Sequence, residues 1–460
     1  MQPSRVEISP LMQQLSTYIA GALKKPLPPE IVERAKVHVV DTFSAMISGS
    51  RLLPGKKATA YVKSLGGKPE AGVIGSRIVT SALNAALANG MFGHADETDD
   101  THPPSQTHPG VAVVPAALAI SERNRLAGTV LLRAVVLGYD ICSRLALSLQ
   151  PPPFISTGHH TASFGGVFGA AAASGALLKL DVRAVRYLLS YAAQQAAGLA
   201  AVHRDVEHVQ KAFNSGGMAA HNGVAAALMA AQGFTGVEDV FSGERDFFFT
   251  FAGDPERANR AELTRGLGRD YEILRGGIKC WPVGGPIQGP AQVLRELMQQ
   301  HGIKAGDVEK VVARMPDKEL MIVNNRDMPD ISVQHLLAVM LLDGTLTFAS
   351  THDFSRMKDP KVLALRKRIE AVGDASLTDA QRRWRCVMEI TLKDGRKLNH
   401  QTMAAKGSSE NPVTRVEEEA KALDLITPVL GKSRTRALLA ALWDLEAVKD
   451  VRALRKLYAK

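Results

Sequence analysis

Two long runs of small residues restrict the fold of this chain more than any other feature. Residues 162–178 and 216–232 consist mainly of Ala and Gly. Aromatic residues make up only 5% of the 460 residues, so few bulky side chains are present to fill wide gaps. Helices lie closest together where small side chains line their contacts. The two runs therefore predict a mainly α fold of closely packed helices.

Composition and charge exclude several functional classes. Apolar residues make up 45% of the chain and charged residues 22%, which is typical of a soluble globular protein. The formal net charge is +10, but the positive residues are scattered and form no basic stripe with aromatics between them. We therefore predict no nucleic-acid partner. The positive electrostatic field of the chain would still attract a small anionic substrate. Run 162–178 is too short and too rich in Ala and Gly to predict a membrane span.

The cysteines and the N-terminus favour a cytoplasmic location. Cys142, Cys280 and Cys386 are far apart and form no disulfide framework, as in proteins of a reducing compartment. The first twenty residues lack the charged start and apolar core of a signal peptide.

The pattern of apolar residues divides the chain into three parts. Helical spacing dominates up to about residue 270, for example over 31–49 and 182–201. Beyond it, residues 308–315 alternate as a strand, and Lys393-Asp394-Gly395 predicts a hairpin turn. Further helices are predicted over 288–300, 333–342, 360–372, 412–423 and 433–457. We therefore predict a large all-α domain with an inserted smaller α+β domain, with boundaries at 1–272, 273–405 and 406–460.

The acidic loop, residues 93–110 (GHADETDDTHPPSQTHPG), holds the densest chemistry. Neighbouring carboxylates repel one another, which raises the pKa of at least one of them. Such acids beside histidines are suited to general acid–base catalysis. Two alternatives stay open: a solvated loop whose Asp and Thr residues cap a helix, or a divalent metal site. No HExxH or EF-hand spacing is present, so no metal ligands are predicted.

Four segments together resemble the MmgE/PrpD family. They are the acidic loop, GHHTASFGGVFGAAAA from residue 158, KAFNSGGMAAHNGVAAALMAAQGFTG from residue 211 and IKCWPVGGPIQGP from residue 278. The resemblance covers about residues 8–455. It implies a large all-α domain built from both chain ends, an inserted α+β lid, and a homodimer that needs no cofactor. The family includes 2-methylcitrate dehydratases, cis-aconitate decarboxylases and an iminodisuccinate epimerase.

Site residues follow from the resemblance, position by position. It implies catalytic roles for His108, His160, Asp99, Glu97 and Lys211, and substrate contacts for Thr101, Asp100, Lys279 and Gln288. His108 and His160 would be the base and the acid, in either order, and Lys211 and Lys279 would hold carboxylates as point charges. The alternative for each is structural, such as a helix cap for Asp99 or Asp100 and a core hydrogen bond for His160.

Four departures from the family pattern bear on the reaction. Asn214, Gly284 and Gln288 stand where many members have histidine. Residues 321–330 contain no tyrosine to match the one that decarboxylases carry nearby. We therefore expect a lyase acting on a small di- or tricarboxylate, with dehydration ahead of epimerisation or decarboxylation. A metal-dependent hydrolase that uses the acidic loop is the further alternative.

Overall fold

A computed structural model describes residues 7–379 and 381–460 of the chain. The chain is 62% helical and 8% strand, which confirms the predicted mainly α class with a smaller α+β part. The N-terminal segment in which no signal peptide is predicted begins at residue 1. Its residues 1–6 lie outside the described residues. Within the described ranges, no helix has the length and apolarity that crossing a membrane requires.

Helices make up most of the described part of the chain, and the strands are short. In chain order the helices are α1 (Pro10–Gly21), α2 (Pro29–Gly49), α3 (Leu53–Leu65), α4 (Ala82–Gly93), α5 (Pro109–Asn124), α6 (Gly128–Ser148), α7 (Pro151–Ser156), α8 (Thr161–Leu177), α9 (Val182–Gln194), α10 (Val209–Ala212), α11 (Met218–Ala231), α12 (Phe247–Phe251), α13 (Gln288–His301), α14 (Asp317–Val323), α15 (Val333–Asp343), α16 (Phe348–Thr351), α17 (Pro360–Arg366), α18 (Arg415–Leu430), α19 (Lys432–Trp443) and α20 (Arg455–Tyr458). The strands are β1 (Ala71–Gly72), β2 (Val79–Thr80), β3 (Val308–Pro316), β4 (Ile369–Asp374), β5 (Cys386–Leu392) and β6 (Lys397–Thr402). A π-helix, Phe213–Gly217, joins α10 to α11.

The chain forms two compact units. The helical unit comprises the described residues of Met1–Ala95, together with Asp99–Gly276 and Leu425–Lys460. The mixed unit comprises Gly277–Asp424 and the three loop residues Asp96–Thr98. The acidic loop therefore contributes residues to both units.

Small residues allow the helices of the helical unit to pack closely, as the sequence predicts. Helix α8 is buried along its whole length and packs against α5, α6 and α11. A Cβ on Gly169 of α8 would lie 2.5 Å from the carbonyl oxygen of Gly138 on α6, so only glycine permits this approach. The run 162–178 is thus a buried helix inside a protein core.

Two helix predictions in this unit were too long. The helix predicted over 182–201 ends at Gln194. The helix predicted over 433–457 ends at Trp443 and continues as short turns before α20. The reason for the second break is non-local, because the Val448 carbonyl accepts from Gly128 N and Val451 N donates to the Leu126 carbonyl. These bonds draw the backbone away from helical geometry.

The mixed unit is built on a four-stranded sheet with strand order β4-β3-β5-β6. Strand β3 pairs parallel to β4 and antiparallel to β5, and β5 pairs antiparallel to β6. Alternate residues of β5 are buried, including Met388 and Ile390, so one face of the sheet lies on the core. The predicted strand over 308–315 and the predicted hairpin around residues 393–395 are confirmed.

The helix predicted over 360–372 was wrong beyond Arg366. Residues 369–374 form strand β4 instead, with Val311 of β3 opposite Ile369. The backbone N–H of Val311 donates to the Arg368 carbonyl, and the Arg368 guanidinium donates to the Val308 carbonyl. Pairing with a strand more than fifty positions away overrides the local helical pattern.

Candidate active site

The acidic loop is buried, which excludes the alternative of a solvated loop. Residues 94–105 and 107 are buried, and only Gln106 and His108 are half-exposed. The loop connects α4, which ends at Gly93, to α5, which begins at Pro109. Buried carboxylates need charged or hydrogen-bonding partners. The partners of these carboxylates therefore define what the loop can do.

In the helical unit, Asp99 lies between two histidines. Its Oδ2 is 3.1 Å from His94 Nδ1 and 2.8 Å from His108 Nδ1. His108 Nδ1 is also 2.8 Å from the carbonyl oxygen of Asp100. A carboxylate and a carbonyl can only accept, so Nδ1 of His108 carries the proton. In the neutral ring the lone pair is then on Nε2, and the side chain is 23% exposed.

His94 is held in a similar way but is fully buried. The centres of the His94 and His108 rings are 4.8 Å apart. Burial lowers the pKa of His94, and the Asp99 carboxylate opposes that shift without cancelling it. His94 is therefore neutral and donates its Nδ1–H to Asp99. One ligand atom from each of His94, Asp99 and His108 lies within 4.8 Å of the others, so these side chains could hold a metal ion.

Asp100 is fixed by groups from three helices. Its Oδ2 lies 2.6 Å from His38 Nδ1 on α2 and accepts from the Tyr139 hydroxyl of α6 at 2.5 Å. Its Oδ1 accepts from Gly110 N of α5 at 3.1 Å. These bonds engage both carboxylate oxygens, and the Asp100 carbonyl meanwhile orients His108. We interpret Asp100 as a residue that positions the loop; its predicted substrate contact stays a prediction.

His160 and Asn214 form a second imidazole contact in the helical unit. The Asn214 amide Nδ2 lies 2.9 Å from His160 Nδ1. An amide NH₂ can only donate, so Nδ1 accepts and the ring proton is on Nε2. Burial lowers the pKa of His160 well below its usual value, with His203, His108, His94 and Lys211 adding to that effect. His160 is thus a neutral imidazole that presents an Nε2–H donor.

Asn214 lies in the π-helix Phe213–Gly217, where an extra residue per turn changes which side chains face the core. Glycines bring this segment close to α4, since a Cβ on Gly216 would lie 2.1 Å from the Gly90 carbonyl. Lys211, on α10, is half-buried and its charge lowers the pKa of both His94 and His160. The helical unit therefore brings Lys211 within electrostatic range of both histidines.

In the mixed unit, three consecutive loop residues each meet a cationic side chain. Glu97 Oε2 lies 3.6 Å from Lys279 Nζ, and the Lys279 side chain is only 1% exposed. The Thr98 carbonyl accepts from Lys421 Nζ at 3.0 Å. Asp96 Oδ2 lies 3.0 Å from His352 Nε2.

His352, in the mixed unit, carries a positive charge. Burial alone would lower its pKa, but the carboxylates of Asp96 and Asp330 outweigh burial and raise the pKa to about 9. Its Nδ1 lies 2.8 Å from the Phe348 carbonyl, so both ring nitrogens face acceptors. His352 therefore forms an ion pair with Asp96 at neutral pH.

The other two predicted substrate contacts make hydrogen bonds to the backbone. The Thr101 hydroxyl donates to the Thr107 carbonyl at 3.2 Å. Gln288 Oε1 accepts from the backbone N–H groups of residues 280 and 281, and Nε2 donates to the carbonyls of residues 281 and 283. These four bonds use the whole amide, so we interpret Gln288 as holding the segment that follows Lys279.

Four of these partners were missed by sequence reasoning: His38, Tyr139, His352 and Lys421. The first two lie in helices α2 and α6, and Lys421 in α18. A polar residue within an apolar helix pattern was the available signal for His38 and Tyr139. Nothing local marks His352 or Lys421, because both are more than two hundred and fifty positions from the loop residues that they contact.

Two protein-family models match the chain. The model of the MmgE/PrpD N-terminal domain matches residues 13–259, and the model of the MmgE/PrpD C-terminal domain matches residues 281–446. The chain belongs to the MmgE/PrpD family. The predicted resemblance is therefore confirmed.

Characterised relatives within the MmgE/PrpD family are distant. A cis-aconitate decarboxylase from Aspergillus terreus (strain NIH 2624 / FGSC A1156) is 23% identical over 450 residues, 88% of this chain and 91% of the relative. A cis-aconitate decarboxylase-like protein from Aspergillus oryzae (strain ATCC 42149 / RIB 40), oryM, is 26% identical over 301 residues. That second match covers 63% of this chain and 61% of the relative's length.

Proposed function

We propose that this member of the MmgE/PrpD family is a lyase that removes a proton beside a carboxylate of a small di- or tricarboxylate. The supporting observation is the pair of Nδ1–H contacts of His108, to Asp99 at 2.8 Å and to the Asp100 carbonyl at 2.8 Å. They leave Nε2 as the basic atom on a partly exposed ring. The names of the relatives support a polycarboxylate substrate, since cis-aconitate carries three carboxylates.

In the proposed reaction, His108 Nε2 takes the proton from the carbon beside a carboxylate. Asp99 stabilises the imidazolium that forms, as a carboxylate does behind a catalytic histidine. Negative charge then develops on the carboxylate oxygens of the substrate. His160 Nε2–H donates a hydrogen bond to that charge, and Lys211 attracts it as a point charge.

Dehydration follows when the C–O bond beside the carbanion breaks and the hydroxyl departs as water, taking the proton that His108 holds as imidazolium, which returns His108 to its neutral form. The absence of a tyrosine in residues 321–330 favours this outcome. Decarboxylation is the second candidate, favoured by the names of the relatives. Glu97 and Lys279 pair within the mixed unit, and their catalytic and substrate-binding roles stay predictions.

The test is turnover of β-hydroxy di- and tricarboxylates and of cis-aconitate, followed by proton NMR. Dehydration produces an alkene and no CO₂, whereas decarboxylation releases CO₂. We expect His108→Gln to lower kcat by about 10²–10⁴-fold, the usual contribution of a general base. His400→Gln is the matched control, because His400 pairs with Glu296 at 2.7 Å on the surface of the mixed unit. Near-normal turnover by His108→Gln would contradict the assignment.

The proposal also includes three expectations about the whole protein. We propose that turnover needs no cofactor, that the chain is a homodimer and that it is cytoplasmic. Full activity after dialysis against a chelator, light scattering on the purified chain and cell fractionation would check these expectations in turn.

A further inference from the structure

We propose that His94, Asp99 and His108 form an inhibitory binding site for a transition-metal ion such as Zn²⁺. No known motif spacing marks this group in the sequence. In the folded chain, one ligand atom from each side chain lies within 4.8 Å of the other two. Asp99 Oδ2 already touches both Nδ1 atoms, at 3.1 and 2.8 Å.

The spacing suits a tetrahedral ion. Bonds of about 2.0–2.2 Å to nitrogen and oxygen place the ligands of Zn²⁺ roughly 3.3 Å apart. The two distances from Asp99 to the histidines need to grow by only a few tenths of an ångström, and the two histidine nitrogens, which lie within 4.8 Å of each other, need to reach the same spacing of about 3.3 Å. Three protein ligands leave a fourth position for water or for a substrate carboxylate.

The donor set selects the kind of metal. Two imidazoles with one carboxylate favour Zn²⁺, Co²⁺, Ni²⁺ or Cu²⁺ over Mg²⁺ and Ca²⁺, which prefer oxygen ligands. His94 and Asp99 are buried, so their ligand atoms are already removed from bulk water. His108 is 23% exposed and provides the side from which an ion enters.

Metal binding would block the base. When a metal ion takes the lone pair at Nδ1 of His108, the ring proton passes to Nε2. That transfer is a change of tautomer with no net gain or loss of protons, and it removes the basic lone pair. The inhibition rests on the proposed function, but the binding itself does not.

Cobalt provides a readout that needs no turnover. The full-length chain, dialysed against a chelator, is titrated with Co²⁺ and followed by visible absorption and calorimetry. We expect one equivalent to bind with the spectrum of a four- or five-coordinate N/O site. The signal should be lost in His94→Gln and in Asp99→Asn, and kept in His400→Gln, where a single histidine–carboxylate pair lacks the third ligand.

A second measurement uses the wild-type chain, so it holds even where a variant fails to fold. Stoichiometric Zn²⁺ should protect His108 from carbethoxylation, measured by peptide mass spectrometry, and should inhibit any turnover. The absence of a stoichiometric Co²⁺ signal together with no protection of His108 overturns the proposal. A Co²⁺ signal that persists in His94→Gln overturns it too.

The two proposals fail in different ways. A Co²⁺ signal with the expected variant pattern, in a chain that turns over no polycarboxylate, supports the metal site and removes the proposed function. Turnover that chelation abolishes and Zn²⁺ restores overturns the inhibitory role.

Discussion

The histidines around the acidic loop differ in charge between the two units. In the helical unit, burial lowers the pKa of His38, His94 and His160, which are held as neutral rings in defined tautomers. In the mixed unit, Asp96 and Asp330 raise the pKa of His352 to about 9 although burial opposes the shift. The helical unit thus holds these imidazoles in their neutral form, whereas the mixed unit uses one as a fixed cation.

The difference shows that a carboxylate partner alone does not decide the charge of a buried histidine. Asp100 contacts His38, yet its carboxylate also accepts from the Tyr139 hydroxyl and from Gly110 N. Three donors therefore share the negative charge of Asp100. His352 is 17% exposed and faces two carboxylates. Asp96 is shared in the same way, because it also accepts from the backbone N–H and the hydroxyl of Thr98. The full burial of His38 and the second carboxylate beside His352 therefore separate the two cases, and substitutions in either unit can break or sharpen the contrast.

The largest loss in the free energy of unfolding is expected for Asp100→Ala in the helical unit. The substitution leaves the buried His38 and Tyr139 side chains without their common acceptor. Removing one partner of a buried polar group in such a network costs about 3–5 kcal/mol of the free energy of unfolding. Chemical denaturation measures the change, with Asp394→Ala in the exposed hairpin turn as the control. A loss no larger than in the control would show that Asp100 does not hold the loop.

The next largest change in the free energy of unfolding is expected for His352 in the mixed unit. Because the pKa of His352 in the folded chain, about 9, exceeds its ordinary value of 6.5, the stabilisation is complete below pH 6.5 and is lost as pH rises through 9. The shift corresponds to about 3 kcal/mol. The free energy of unfolding of the wild type should exceed that of His352→Gln at pH 6, and the difference should shrink by pH 10. A difference independent of pH would contradict the ion pair with Asp96.

A smaller effect is expected where the backbone supports the His160 contact. Gly198 has φ +140°, and a Cβ there would lie 1.9 Å from Ser163 Oγ and 2.8 Å from Asn214 Oδ1. We expect Gly198→Ala to lower the free energy of unfolding by about 1–3 kcal/mol through overpacking and backbone strain. Gly253→Ala isolates the strain, since Gly253 has φ +72° with open space around it. Equal losses in the free energy of unfolding of the two variants would show that close packing against Ser163 and Asn214 does not contribute.

The smallest effect tests the tautomer of His160. In Asn214→Asp a carboxylate replaces the donor amide, so Nδ1 of His160 must carry the proton and the Nε2–H donor is lost. We expect nitrogen-15 NMR of the ring to show the exchange of tautomers. Turnover should fall about tenfold, which is 1.4 kcal/mol in the transition state. An unchanged ring spectrum would show that Asn214 does not set the proton position.

Local patterns in the sequence predicted the local elements, and contacts between distant segments account for what it missed. The hairpin at residues 393–395 follows from its turn residues alone. Strand β4 was predicted as helix, because its pairing with β3 is invisible in a short window. Glu97 and Lys279 lie 3.6 Å apart within the mixed unit, a contact that no local pattern in the sequence indicates. His38, Tyr139, His352 and Lys421 become partners of the loop only through the folded chain.

The π-helix Phe213–Gly217 makes the site sensitive to chain length as well as to side chains. Deleting one residue between Phe213 and Gly217 would restore ordinary α-helical winding without removing any chemical group. A π turn takes up one extra residue within a single turn, so α10 and α11 would keep nearly the same relative rotation, and side chains of the π turn itself, Asn214 among them, would change direction. A chain shortened by a single small glycine would thus keep its hydrophobic core and the position of Lys211, and lose the orientation of Asn214.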